Sequence, residues 1–166
     1  QLMAYWNDML QDDCYMISRD AWKLTLLKGG KNTSTYEDMS CDLLPVEIVL
    51  KEFFSTELDV IASLLGTSET YALQLQELIE KAKEDADEED EEELKHVINK
   101  TKKTSAYKAI DTKKKEVDKK IKEKKQALTL LVESKYAAFT EEEIKSLVVD
   151  KKWLAAVSSM IHSEMQ

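Results

Sequence analysis

The sequence predicts a mainly α fold, an antiparallel hairpin or bundle of long helices with a small β element near the N-terminus. Glycine and proline are rare, with 3 and 1 among 166 residues, whereas all-β folds need turns that are rich in both. Charged residues make up 34% of the chain, which is typical of long solvated helices. Apolar residues recur at helical spacing, and their share of 43% supports a core.

The first 45 residues are expected to hold the end of a helix and a small strand-containing segment. Residues 1–11 place apolar side chains at helical spacing. Residues 14–18 are short and β-prone, so they are predicted as a strand, with a second strand at 39–44. Gly29 and Gly30 mark a turn between them.

Residues 46–136 are predicted to form long helical arms. Pro45 begins a helix, which is expected to end at Gly66. Ser68 is then expected to cap the next helix. Residues 84–93 hold nine acidic side chains. Because like charges repel, they are expected to form an exposed hairpin tip or a disordered link between the arms.

The second arm is predicted to restart at Leu94 and to continue as a longer helix over residues 107–136. The longer helix carries an apolar stripe with intervals of 7, 4, 7 and 4, formed by Ile110, Val117, Ile121, Leu128 and Val132. Lysines interrupt this stripe. The pattern indicates a coiled-coil arm that is well packed at its base, around residues 128–132, and thin towards its tip.

Residues 140–166 are predicted to form a pair of helices. Thr140 and Glu143 have the spacing of a capping box, and Asp150 is expected to cap the second helix. The amphipathic pattern then runs to the last residue without a terminator, as in a helix that continues. This helix has more apolar surface than it can bury alone, so a partner, or a continuation of the chain, is expected to cover Trp153, Leu154, Val157, Met160, Ile161 and Met165.

Charge is distributed unevenly along the chain. Residues 1–93 have a net charge of −16 and residues 94–166 of +7, for a total of −9, and an acidic chain is a poor candidate for unaided DNA binding. Residues 100–125, however, contain 12 lysines and only 4 acidic residues. One hypothesis is a basic arm that contacts phosphates through Lys113, Lys114, Lys119 and Lys120. The alternative, a solvated helix with internal ion pairs, is favoured because the segment has no arginine and a single aromatic residue.

The sequence assigns no catalytic, cofactor-binding or metal-binding residue. It has no phosphate-binding glycine loop and no cysteine–histidine cluster. His96 and His162 are expected on the surface. Cys14 and Cys41 are expected to be buried reduced thiols, as is usual in a cytoplasmic protein. No apolar run nears the ~20 residues that cross a bilayer, so no membrane is expected as a partner.

Two groups of segments resemble the C-terminal region of the modification (M) subunit of type I restriction–modification enzymes. They are YWND at 5–8, QDDCYMI at 11–17 and CDLLP at 41–45, then KY at 135–136 and TEEEIKSLVVDKKWL at 140–154. The order of the segments spans nearly the whole chain. The helices between them are shorter and richer in lysine than the family pattern.

The resemblance implies a piece of an N6-adenine DNA methyltransferase that uses S-adenosylmethionine. In that family the cofactor site and the Asn-Pro-Pro-Phe type motif lie upstream, and the single proline here is Pro45. No catalytic residue or cofactor is therefore expected within this chain. The implied role is docking on the specificity (S) subunit, in a complex that includes the restriction (R) subunit and encloses DNA. A nucleic-acid-binding arm and an unrelated helical scaffold are the alternatives.

Overall fold

The structure, a computed structural model, describes residues 10–30, 35–84 and 91–164, apart from the side chains of 91–93 and 164. It confirms a mainly α fold with a two-stranded antiparallel sheet near the N-terminus. The chain forms two compact units, one from residues 1–55 and 126–166 and one from 56–125. Most of the helix end predicted at 1–11 lies outside the described residues.

The first unit combines the N-terminal elements with the end of the chain. Its elements are α1 (Gln11–Asp20), β1 (Leu27–Lys28), β2 (Met39–Ser40), α2 (Val46–Phe53), the last part of α5 (Ser105–Ala138), α6 (Glu141–Ser146), a π-helical turn (Leu147–Trp153) and α7 (Leu154–Glu164). In the sheet, Leu27 lies opposite Ser40 and Lys28 opposite Met39.

The predicted strand at 14–18 is wrong, because these residues lie in α1. Helix α1 includes them directly after its first turn, which holds Asp12 and Asp13. The β-prone side chains do not enter a sheet, and Tyr15 is 63% exposed. Cys14 is also exposed, contrary to the prediction, whereas Cys41 is buried as predicted. Local β propensity thus gives way to the helical context.

The sheet is a hairpin whose second strand is shorter than predicted. The backbone N–H of Gly29 donates to the carbonyl of Asp38 at 2.9 Å. A Cβ at Gly29 would lie 2.8 Å from the Cβ of Asp38, which explains the glycine. The hairpin is fixed to α5 because the backbone N–H of Tyr36 donates to the Thr129 hydroxyl at 2.9 Å.

The core of the first unit is formed by the buried side chains of several helices and of the segment before α2. The most deeply buried side chains are Leu44, Val49, Leu128, Val132 and Val148. The prediction of a well-packed base of α5 is therefore correct for the inward face. Leu130 and Leu131 point outwards, with exposures of 67% and 45%.

The helix predicted from Pro45 to Gly66 is interrupted at Phe54, and the predicted end at Gly66 is wrong. Helix α3 runs without a break over Ser55–Glu84. Ser68 lies inside α3 and is not a cap, and its hydroxyl donates to the Asp118 carboxylate at 2.5 Å. A glycine in a helix interior costs only about 1 kcal/mol, so the long apolar face of α3 outweighs it.

The second unit contains most of α3, helix α4 (Glu91–Lys103) and the first part of α5. Ile121 is buried, as its place in the predicted stripe indicates, and Leu75 of α3 is buried as well. The restart of the second arm at Leu94 is confirmed by α4, and α5 begins at Ser105, close to the predicted start. Of the acidic segment, residues 85–90 lie outside the described residues.

Candidate interaction surface

Helix α6 begins with the predicted capping box. The Thr140 hydroxyl accepts from the Glu143 backbone N–H at 3.3 Å, and the Glu143 carboxylate accepts from the Thr140 backbone N–H at 2.9 Å. Lys135 adds an ion pair with Glu143 at 3.2 Å. The hydrogen bond from the Thr140 backbone, followed by the one from Lys135, lowers the pKa of Glu143. The start of α6 is therefore fixed on α5.

The predicted cap at Asp150 is wrong, because no helix begins there. The chain passes from α6 into α7 through the π-helical turn, and the Leu154 N–H donates to the Val149 carbonyl, five residues back. An α-helix bonds four residues back. Asp150 instead accepts from the Ser146 hydroxyl at 3.0 Å. Since the helix is continuous, it has no free N-terminal N–H groups for Asp150 to cap.

A buried ion pair lies at the centre of this region. Lys152 is 7% exposed and Asp13 is 3% exposed. The Lys152 Nζ lies 2.7 Å from Oδ2 of Asp13, and it donates to the carbonyls of Asp42 at 2.7 Å and Leu43 at 3.1 Å. An ammonium group has three protons to donate, so these three groups satisfy it. The ion pair joins α1 and the residues after β2 to the π-helical turn.

Trp153 belongs to the same network. Its indole N–H donates to Oδ2 of Asp13 at 2.8 Å, and its ring lies 6.4 Å from that of Trp22. Trp153 is half-buried, so the structure places this predicted interface residue partly inside the unit. Asp13 is separated from Trp153 by 140 positions, and no local pattern in the sequence indicates their contact.

The remaining predicted interface residues lie on two sides of α7. Leu154 and Ile161 are 56% and 51% exposed, whereas Val157 and Met160 are half-buried. Met165 lies outside the described residues. Leu154, Ser158 and Ile161 are all exposed and lie within about 60° of one another around the helix axis. We call these three residues the exposed α7 face.

The exposed α7 face has the composition of an interface core. It contains no Lys, Arg, Asp or Glu, and charged residues are depleted at the centres of protein interfaces. Ser158 lies between Leu154 and Ile161 along the helix, and its small side chain leaves space for a partner between the two large ones. This arrangement suits packing against an apolar helix of another protein.

The four lysines predicted to contact phosphates differ in exposure and in ion pairing. Lys114 is half-buried, and its Nζ lies 2.7 Å from the Asp118 carboxylate. Hydrogen bonds from Lys114 and then from Ser68 lower the pKa of Asp118. Lys119 is exposed and lies 3.9 Å from Glu123. The other two, Lys113 and Lys120, are exposed.

Other chemistry-bearing groups form no catalytic arrangement among the described residues. His96 and His162 are exposed, as predicted. The described residues contain no cluster of three or more potential metal ligands. None of the described helices is long and apolar enough to cross a bilayer. No protein-family model, no curated protein and no solved structure matches the chain.

Proposed function

We propose that this chain is the C-terminal assembly domain of the M subunit of a type I restriction–modification enzyme. In this proposal it docks on the S subunit and helps the complex, which includes the R subunit, to enclose DNA. The chain itself is non-catalytic. Transfer of a methyl group from S-adenosylmethionine to N6 of adenine belongs to an upstream core of the parent protein.

The proposal is supported by the place of the family-like residues in the fold. Several of them make contacts that fix the segments leading into α7, namely Tyr136, Thr140, Glu143, Lys152 and Trp153. The Tyr136 hydroxyl, for example, donates to the Leu44 carbonyl at 2.6 Å. Burial raises the pKa of this hydroxyl, which keeps it a donor. The resemblance therefore coincides with contacts that fix α6 and the π-helical turn, from which α7 continues.

The observation that carries the proposal is the exposed α7 face. Burial of a fully exposed leucine or isoleucine stabilises by roughly 1.5–3 kcal/mol. Leu154 and Ile161 are about half exposed, so contact with a partner helix gains roughly 1 kcal/mol for each of them. An uncharged pair at this spacing matches helix-in-groove recognition, in which side chains at i and i+7 are anchors.

Co-purification tests the proposal. The parent subunit that contains this chain is co-expressed with a tagged S subunit, and the complex is isolated without DNA. We expect the two subunits to elute together in size-exclusion chromatography. The proposal is abandoned if the parent subunit, folded by circular dichroism, elutes apart from the S subunit.

A further inference from the structure

Inward-facing residues change their spacing at the π-helical turn. Leu147 and Val148 are buried, and the next inward pair, Lys152 and Trp153, follows five residues later. The pair after that, residues 156–157, follows four residues later and is half-buried. An α-helix repeats every 3.6 residues, so the first interval contains about one residue more than an α-helix would place there. A single-turn π-helix is an insertion of this kind.

The extra residue determines the rotation of α7 about its axis. In an uninterrupted α-helix, α7 would be turned by about 100°, the angle per residue. Each residue would then take the place of the one that follows it. Val157, now half-buried, would take the exposed place of Ser158, and the exposed Ser159 would take the half-buried place of Met160. Leu154 and Ile161 would no longer occupy their present positions.

The Asp13 carboxylate accepts hydrogen bonds from two consecutive residues of the π-helical turn. It accepts from Lys152 Nζ and from Trp153 Nε1. Their neighbour Lys151 points elsewhere, to Glu52 at 3.0 Å. Because Lys152 and Trp153 must both reach one buried carboxylate, the backbone is held with both residues facing inwards. Asp13 lies on α1, so this constraint comes from a separate element.

We propose that Asp13 is a positioning residue that holds the π-helical turn and thereby selects which face α7 presents to a partner. Contact of α7 with a partner rests on the proposed function. The rotation itself is a property of the isolated chain. Labelling of the isolated chain therefore tests the rotation, and subunit co-purification tests the partner, so that either can fail without the other.

Thiol labelling of the 166-residue chain measures the rotation. Cys14 is exposed and is first replaced by Cys14→Ser, whereas Cys41 is buried. Reporter thiols are then introduced separately by Val157→Cys and Ser159→Cys. With Asp13 present, we expect the thiol at 159 to react several-fold faster than the thiol at 157.

The network is removed by the double substitution Asp13→Leu with Lys152→Met, which leaves no buried unpaired charge. We expect the order of the two labelling rates to reverse. If the double variant does not fold, Trp153→Phe replaces it, because this change removes the hydrogen bond from the indole to Asp13. We then expect the labelling rate at 157 to rise and the rate at 159 to fall. The control is Lys151→Met with Glu52→Gln, which breaks the neighbouring exposed ion pair and leaves the order unchanged.

Two results overturn the proposal. One is an unchanged order of rates in the folded double variant, or in Trp153→Phe if the double variant does not fold. The other is a rise of both rates together, which indicates that α7 has lost its packing without rotating.

Discussion

At the residue scale, the Asp13–Lys152 ion pair joins two distant parts of the chain within the first unit. Lys151 and Lys152 are neighbours of identical type, yet Lys151 is exposed and Lys152 is buried. Local sequence cannot distinguish them, because the partner of Lys152 lies 139 residues away. The capping box is different. Thr140 and Glu143 are three residues apart and bond each other, so the sequence predicts it correctly.

We expect Lys152→Ala and Asp13→Ala each to lower the free energy of unfolding by about 3–5 kcal/mol, because either change leaves a buried charge without its partner. Lys151→Ala is the matched control. Its ion pair with Glu52 is exposed, so its removal should cost no more than about 1 kcal/mol. Urea denaturation followed by tryptophan fluorescence measures both changes. Equal effects of Lys152→Ala and Lys151→Ala would contradict a buried role for Lys152.

At the scale of elements, periodicity predicts helices better than local signals predict their ends. The predicted stripe of α5 is long, and its inward face matches the prediction at Ile121, Leu128 and Val132. The errors lie at Gly66 and Ser68, where turn-forming residues are enclosed in a helix. They also lie at residues 14–18, where β-prone side chains belong to α1. Packing of a long amphipathic face outweighs such local preferences.

Gly66→Ala tests the continuity of α3. Apart from the adjoining residues and the backbone of α3, no atom lies within 4 Å of a Cβ placed at Gly66, and alanine in a helix interior is favoured over glycine by roughly 0.5–1 kcal/mol. We therefore expect a gain in stability of that size by thermal denaturation. Gly29→Ala is the contrasting variant and should destabilise, because its Cβ would lie 2.8 Å from that of Asp38. A loss of stability in Gly66→Ala would indicate that the helix ends at Gly66.

At the scale of the whole molecule, the sequence predicts a surplus of apolar surface after residue 152 but not how it is divided. Leu154 and Ile161 lie outside, whereas Val157 and Met160 are half-buried. This division follows from the rotation of α7, and one inserted residue changes that rotation by about 100°. The insertion is stabilised by contacts with α1, so it is a property of the folded unit. No local sequence pattern specifies it.

The affinity of the parent subunit for the S subunit, measured by isothermal titration calorimetry, tests the central claim most directly. The test variant combines Leu154→Ser with Ile161→Ser, and the control combines Val60→Ser with Leu73→Ser, two exposed side chains of α3. Loss of roughly 2 kcal/mol of burial corresponds to a decrease in affinity of about thirtyfold. We predict this decrease for the α7 variant and little change for the control. Equal affinities of the two variants would contradict docking through the exposed α7 face.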